Sequence, residues 1–306
     1  MITNPASSIT KTASKQTYYT IRFLVDRERV DDAYRAYGYF RWVDDILDAD
    51  SGSRSERRAF LERQKSLLEK CYRGESPPDA NIQEKMLVEL VQRNHEKNSG
   101  LQSYLRNMML VIDFDARRRG RLISQVELNE YTRWLASAVT ETMHYFIEHG
   151  FFAPQDETRY LAVSAAHITH MLRDTFDDVQ AGYYNIPRKV LEANRIGPQD
   201  VQSDAYRTWV KSRVQLAREY FDAGKGYLAR VQNPRTRLAG FAYTARFEWL
   251  LDPIEREGYN LRPQYYERKS LGTGLRMSWL TLSSMINLRG VGTLPQPGVS
   301  HPLGKL

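Results

Sequence analysis

The sequence holds one cysteine, Cys71, so no internal disulfide can form and a reducing compartment is expected. Charge interrupts every apolar run well before the ~18 residues that a membrane span needs. The opening residues, Met-Ile-Thr-Asn-Pro-Ala-Ser-Ser, contain neither the basic nor the apolar region of a secretory signal. The expected location is therefore cytoplasmic, with peripheral contact at a membrane surface left open. Period-two alternation is missing, which argues against strands, and no repeat of fixed length appears. There is no glycine-rich dinucleotide fingerprint, no zinc-finger spacing and no aromatic RNA-binding signature. The net charge of +7 suits a polyanionic small ligand or an anionic surface, and no nucleic-acid partner is expected. Its densest cluster, Arg117, Arg118, Arg119 and Arg121, reads as a solvated helix end able to rest on anionic lipid.

What the chain does contain is amphipathic helical pattern with short breaks. Residues 1–12 are polar and read as a loose end. A short helix is expected over Thr17–Phe23, and a longer one, capped by Asp26, runs to about Asp48. Further helices are expected at about 54–73, 81–95, 100–118 and 124–149, the last opened by a Ser124/Glu127 capping box. Another starts near Pro154 and runs to about Gln180, punctuated by Gly182 and Pro187. Segments at about 200–231, 235–257 and 263–288 follow, and residues 290–306 read as an irregular tail. The expectation is one all-α domain over residues 13–289.

Two acidic runs stand out in that pattern. Asp174 and Asp178 are four residues apart, with His170 four before Asp174, so on a helix all three share a face. Asp44 and Asp48 repeat the spacing in a stretch that also holds Asp45. Large apolar residues surround both runs. Stacked carboxylates near a core repel one another and resist desolvation, and a bound cation removes both objections. Two such helices facing each other can hold Mg²⁺ through a few carboxylates, leaving positions for water and phosphate oxygens. Arg41 and Arg173 precede the two runs and suit bidentate contact with the same phosphates. The runs lie about 130 residues apart, so the fold must bring them together.

These residues resemble the squalene and phytoene synthase family. Arg41-Trp42-Val43-Asp44-Asp45-Ile46-Leu47-Asp48 resembles its first arginine-and-aspartate box, and Leu172-Arg173-Asp174-Thr175-Phe176-Asp177-Asp178 its second. Asn185-Ile186-Pro187 is similar to the stretch after the second box. Tyr131 with Leu135-Ala136-Ser137-Ala138-Val139, and Leu250-Leu251-Asp252-Pro253-Ile254 with Gly258-Tyr259, are more diffuse matches. Together they cover roughly residues 14–288 in order.

The resemblance implies an isoprenoid-synthase-type helical bundle with a central prenyl channel, joining two allylic prenyl diphosphates of C15 or C20 length head to head. It implies that Asp44, Asp48, Asp174 and Asp178 hold Mg²⁺, or Mn²⁺ in its place. It also implies that Arg41, Arg173, Thr17 and His170 contact diphosphate, that Tyr131 acts in catalysis, and that Leu135, Ala136, Val139 and Phe247 line the channel. NADPH use and oligomeric state are left open. Three features depart from the family pattern. His167 and His170 replace a usual glutamine and asparagine, Ser137 and Thr140 replace glycines, and Phe247 stands near a usual tyrosine. His167 is expected to hydrogen-bond within the bundle, and His170 to point toward the acidic face. The alternatives are single-substrate cyclisation or prenyl transfer to another acceptor, or a non-catalytic lipid-binding or assembly relative.

Overall fold

Helix signals recur along the chain at the spacing of a bundle, and the computed structural model has that architecture. It describes residues 5–49, 52–75, 77–94, 96–147 and 153–266. Every regular element among them is helical. The first half comprises α1 (Pro5–Ala13), α2 (Lys15–Leu24), α3 (Val30–Asp48), α4 (Arg54–Tyr72), α5 (Ile82–Arg93) and α6 (Gly100–Arg118). The second half comprises α7 (Gln125–Ile147), α8 (Leu161–Arg173), α9 (Thr175–Ala181), α10 (Arg188–Asn194), α11 (Asp204–Arg230), α12 (Pro234–Glu248) and α13 (Leu251–Arg256). No helix among the described residues is long and apolar enough to cross a membrane.

Polar residues at the helix starts set the boundaries. Ser53 with Glu56, Asn81 with Glu84, and Ser124 with Glu127 each form a reciprocal capping box. Apolar stripes then assemble two large clusters. One gathers α3, α4, α5 and α6 around Tyr39, Val43, Leu87, Leu90 and Leu105. The other gathers α7, α8, α11 and α12 around Tyr131, Leu172, Val214, Phe221 and Phe247. Gly224 lets α11 approach α8 closely, because a Cβ there would lie 2.4 Å from the backbone nitrogen of Ala162.

Several expectations change. Residues 5–12 are not loose: they belong to α1, where Ala6 and Thr10 are buried and Ala6 packs on Gly38 of α3. Asp26 caps no helix with its side chain, because its carboxylate accepts from Arg235 at 2.5 Å instead. The segment at 235–257 divides at Trp249 and Leu250 into α12 and α13. Residues 188–194 form α10, which the helical pattern did not indicate. Residues 263–265 are not helical, and the expected helix from 267 to 288, like the tail at 290–306, lies outside the described residues.

The expected helix through the second acidic run breaks at Asp174, which has φ −96° and ψ 8° between α8 and α9. The Thr175 hydroxyl donates to the carbonyls of Met171 at 2.9 Å and Leu172 at 3.2 Å. A side chain that bonds the preceding turn in this way competes with the backbone ladder and bends it. Two bonds of the ladder survive at Asp174: its amide donates to the His170 carbonyl at 3.0 Å, and the Asp178 amide donates to the Asp174 carbonyl at 2.8 Å.

One buried polar group holds α3, α4 and α5 in register. Glu84 accepts from Arg63 Nε at 2.7 Å and from Gln64 Nε2 at 2.9 Å, and Tyr39 donates to Gln64 at 3.0 Å. The Arg63 hydrogen bonds outweigh burial and bring the Glu84 carboxyl down to about 2. A carboxyl depressed on folding contributes stability above its unfolded pKa, near 4.5, and loses that contribution as pH falls toward 2. Glu84→Gln is therefore expected to cost about 2 kcal/mol at pH 7, because Arg63 and the cap lose a charged acceptor. The cost should shrink as wild-type Glu84 is itself protonated, so that the two urea-unfolding free energies converge toward pH 2. A difference that stays constant from pH 7 to pH 2 would show that Glu84 is not the linked group.

Candidate active site

On α3 the helix phase buries Tyr39, Phe40 and Val43 and turns Arg41, Asp44, Asp45 and Asp48 away from that core. Arg41 donates to Asp44 at 3.2 Å and also pairs with Asp45. Burial, reinforced by the Asp48 charge, raises the Asp44 carboxyl to about 6, and Arg41 only partly offsets this. Burial and the charge of Asp115 likewise raise Asp48.

The second run sits at the α8–α9 break. Arg173 grips Asp174 through Nε and Nη2, both at 2.6 Å, and His170 Nε2 lies 3.0 Å from the same carboxylate. Burial alone would raise Asp174, but the Arg173 fork and His170 hold it well below the usual carboxylate range. Asp178 has no such arginine fork. Burial and the Asp174 charge raise its carboxyl to about 6. The break thus divides the run into one compensated aspartate and one under-compensated aspartate.

Between the runs lies a polar chain that the acidic spacing did not reveal. Asp115, near the end of α6, accepts from Tyr131 Oη at 2.8 Å and from Arg118 Nε at 2.6 Å. Arg118 Nη1 donates to Asn185 Oδ1 at 2.8 Å, and Asn185 Nδ2 donates to Asp178 at 2.7 Å. Asp115 acts electrostatically on both Asp44 and Asp48. A hydrogen-bonded path through Arg118 and Asn185 thus joins Asp178 to Asp115, which lines one cavity wall with Asp44 and Asp48. Arg118 is no solvated helix end: it is 5% exposed, and its guanidinium lies 4.8 Å from the Tyr131 ring centroid and 5.1 Å from that of Tyr183. The Asp115–Arg118 spacing of three was the available signal, and the run of neighbouring arginines masked it.

The remaining expected residues occupy varied positions. Thr17 lies in the first turn of α2, its hydroxyl donating to the cap residue Ser14 at 2.9 Å. Leu135 and Phe247 pack with the second apolar cluster, and Ala136 is fully buried. Phe247 stacks edge-on against His170, with ring centroids 6.0 Å apart. Val139 is half-buried on α7. His167 does not hydrogen-bond within the bundle as expected. It is buried against the Tyr131 ring, neither imidazole nitrogen has a hydrogen-bond partner among the described residues, and burial brings its pKa down to about 3.

A cavity of about 670 Å³ opens beside the first run, between α3, α4 and α6. Asp44, Asp48, Asp115 and Arg41 stand on its wall, and none of Leu135, Ala136, Val139 or Phe247 does.

The donor set fits a hard divalent cation. Asp44 and Asp178 each carry a half-buried carboxyl beside a second carboxylate, an excess of negative charge that a cation would neutralise. Among the described residues no three His, Cys, Asp or Glu side chains converge on one point. A cation here would thus take few protein oxygens and complete its shell with water and phosphate, which is how Mg²⁺ usually binds.

A profile of the squalene/phytoene synthase family matches residues 10–273. A 15-cis-phytoene synthase from Synechocystis sp. is 32% identical over 42% of this chain and 40% of its own length. A presqualene diphosphate synthase from Zymomonas mobilis is 27% identical over 64% of each protein. The chain thus spans less than two thirds of either relative. Among solved structures, a squalene synthase from Alicyclobacillus acidocaldarius superposes with a TM-score of 0.65 at 20% identity, covering 84% of this chain and 94% of that one. A dehydrosqualene synthase bound to a ligand gives 0.67 at 17% identity, covering 93% and 95%. At such identities the superpositions show a shared fold.

Proposed function

The chain belongs to the squalene and phytoene synthase family, and on that premise we propose that it joins two allylic prenyl diphosphates head to head in a Mg²⁺-dependent reaction. The product would be a squalene- or phytoene-type hydrocarbon or its cyclopropyl precursor. The observation that carries this reading is the link from Asp44 and Asp48 through Asp115, Arg118 and Asn185 to Asp178. It supports reading the two aspartate pairs, distant in sequence, as parts of one polar centre.

In this reading Asp44, Asp48, Asp174 and Asp178 hold the metal. Mg²⁺ bound there would neutralise charge building on the departing diphosphate. Arg173, beside Asp174, and Arg41, beside Asp44 on α3, carry planar forks that suit phosphate oxygens. The C–O bond of the first substrate breaks and diphosphate leaves with the electron pair. The double bond of the second substrate attacks the allylic cation, and transfer of a proton to the released diphosphate closes the cyclopropane ring. Tyr131 has its hydroxyl fixed on Asp115 and the Arg118 guanidinium over its ring, which places a cation beside the acidic groups. The apolar cluster around Leu135 and Phe247 suits the exclusion of water from the cation.

Purified protein supplied with Mg²⁺ and farnesyl or geranylgeranyl diphosphate should release inorganic diphosphate and form a C30 or C40 product, with NADPH added in a parallel reaction to test for reduction. Products no longer than the substrate would indicate single-substrate chemistry. Absence of diphosphate release with every prenyl length and divalent ion would favour a non-catalytic binding role.

His170 adds an imidazole beside the proposed metal-binding carboxylates, 3.0 Å from Asp174. Imidazole favours softer divalent ions than Mg²⁺. His170→Asn should therefore retain turnover and raise the ratio of Mg²⁺-supported to Mn²⁺-supported rate. An unchanged ratio would make His170 a bystander.

A further inference from the structure

We propose that the cavity between α3, α4 and α6 is a second, metal-independent site for an anion with an apolar tail, a prenyl diphosphate whose headgroup rests on Arg54 and Arg58. The cavity, at about 670 Å³, falls within the ~300–1,000 Å³ usual for small-molecule sites. Its floor is apolar: Phe40, Leu61, Tyr104 and Ile112 are buried, and Met108 is half-buried. Its rim is basic, with Arg54, Arg57, Arg58 and Lys65 from α4 facing Arg117 and Arg119 from the end of α6.

Most of those cations are already engaged. Arg57 donates to the Ala49 and Gly52 carbonyls, Arg117 pairs with Asp113, and Arg119 donates to the Ala181 carbonyl. Lys65 lies 3.1 Å from Glu62 and 3.5 Å from Asp113. Arg54 and Arg58 differ: both are exposed, and neither has a carboxylate partner among the described residues. They stand four apart on α4, where like charges repel unless an anion is shared between them. The carboxylates of the cavity lie elsewhere on its wall, with Asp44 and Asp48 on α3, Asp113 and Asp115 on α6, and Glu62 farther along α4. An anionic head is therefore driven to the Arg54–Arg58 end, and its tail finds the floor between Phe40 and Met108. Because Asp44 and Asp48 share the cavity, a molecule held there waits beside the proposed metal site.

The identity of the ligand rests on the prenyl diphosphate reading above, so the test is run without metal, where turnover plays no part. The full-length protein in EDTA is titrated calorimetrically with farnesyl thiodiphosphate, an analogue that resists ionisation, and separately with inorganic diphosphate. The expected result is one equivalent of the thiodiphosphate bound, with inorganic diphosphate at least about tenfold weaker for want of a tail. Arg54→Ser/Arg58→Ser, at two exposed positions, should keep the circular dichroism of wild type and weaken binding at least about tenfold. Met108→Trp should weaken the tailed analogue and spare inorganic diphosphate. No binding without metal, equal affinity in the double variant, or inorganic diphosphate binding as tightly as the tailed analogue would each overturn the proposal. The last result would identify a free-phosphate site instead. A protein that binds the analogue here yet turns over no prenyl diphosphate with metal would keep this site and lose the catalytic reading.

Discussion

Asp44→Asn and Asp174→Asn are each expected to lower prenyl diphosphate turnover by on the order of a thousandfold, the scale seen when one preorganised electrostatic contact to a developing charge is removed. The effect should be large at both ends because each run supplies half of the proposed metal-binding set, and an amide oxygen is a poor substitute for a carboxylate on Mg²⁺. The far-ultraviolet circular dichroism should stay that of wild type. Asp44 stands on a half-exposed face of α3, and Asp174 lies at a break that the Thr175 hydroxyl creates through its own bonds. Asp45→Asn is the contrasting variant. Its carboxylate is half-exposed and, among the described residues, pairs only with Arg41, so turnover should fall by no more than a few-fold. Near-wild-type turnover in either Asp44→Asn or Asp174→Asn would remove the metal assignment, and a loss in Asp45→Asn as large as theirs would remove the division of labour within the run.

Arg118→Ala should lower turnover by about a hundredfold and stability by about 3 kcal/mol. This buried guanidinium is shared by Asp115 and Asn185. Its removal leaves Asp115 facing the first aspartate run without its cation, and frees Asn185 to turn away from Asp178. Arg118→Lys should recover little of either loss. A single ammonium cannot span both partners with the planar fork, nor lie flat against Tyr131 and Tyr183. Matched urea unfolding and rate measurements on the two variants separate stability from activity. If Arg118→Lys restored full turnover, charge alone would be sufficient and the fork geometry irrelevant. If Arg118→Ala lost stability but kept its rate, Arg118 would be structural only.

Much of the bundle is legible in the sequence because its signals are local. The helices expected from about 54, 81 and 124 start within a residue of those positions, where Ser53, Asn81 and Ser124 cap them. The errors fall where a distant partner overrides a local preference. Asp26 has the chemistry of a cap, but Arg235 lies 209 positions away in sequence and takes its carboxylate. Residues 5–12 look too polar to order, yet Gly38 on α3 leaves room for Ala6 and holds α1 in place. Asp174 continues a helical pattern, and the Thr175 hydroxyl breaks the helix there.

The same division runs through the candidate site. By itself the sequence determined the residues that must be near charge: Asp44 and Asp48, Asp174 and Asp178, and an arginine before each pair. Helical periodicity is a property of the backbone, and fixed spacing sets which side chains can share a face. Only the tertiary structure decided what joins the two pairs. Asp115, Arg118 and Asn185 come from two separate segments, and no spacing rule relates positions 67 residues apart. It also decided that His167 would lack hydrogen-bond partners among the described residues and that Arg54 and Arg58 would line a cavity with an apolar floor. These are outcomes of which helices pack together, settled by long-range burial and charge compensation that a one-dimensional pattern does not encode.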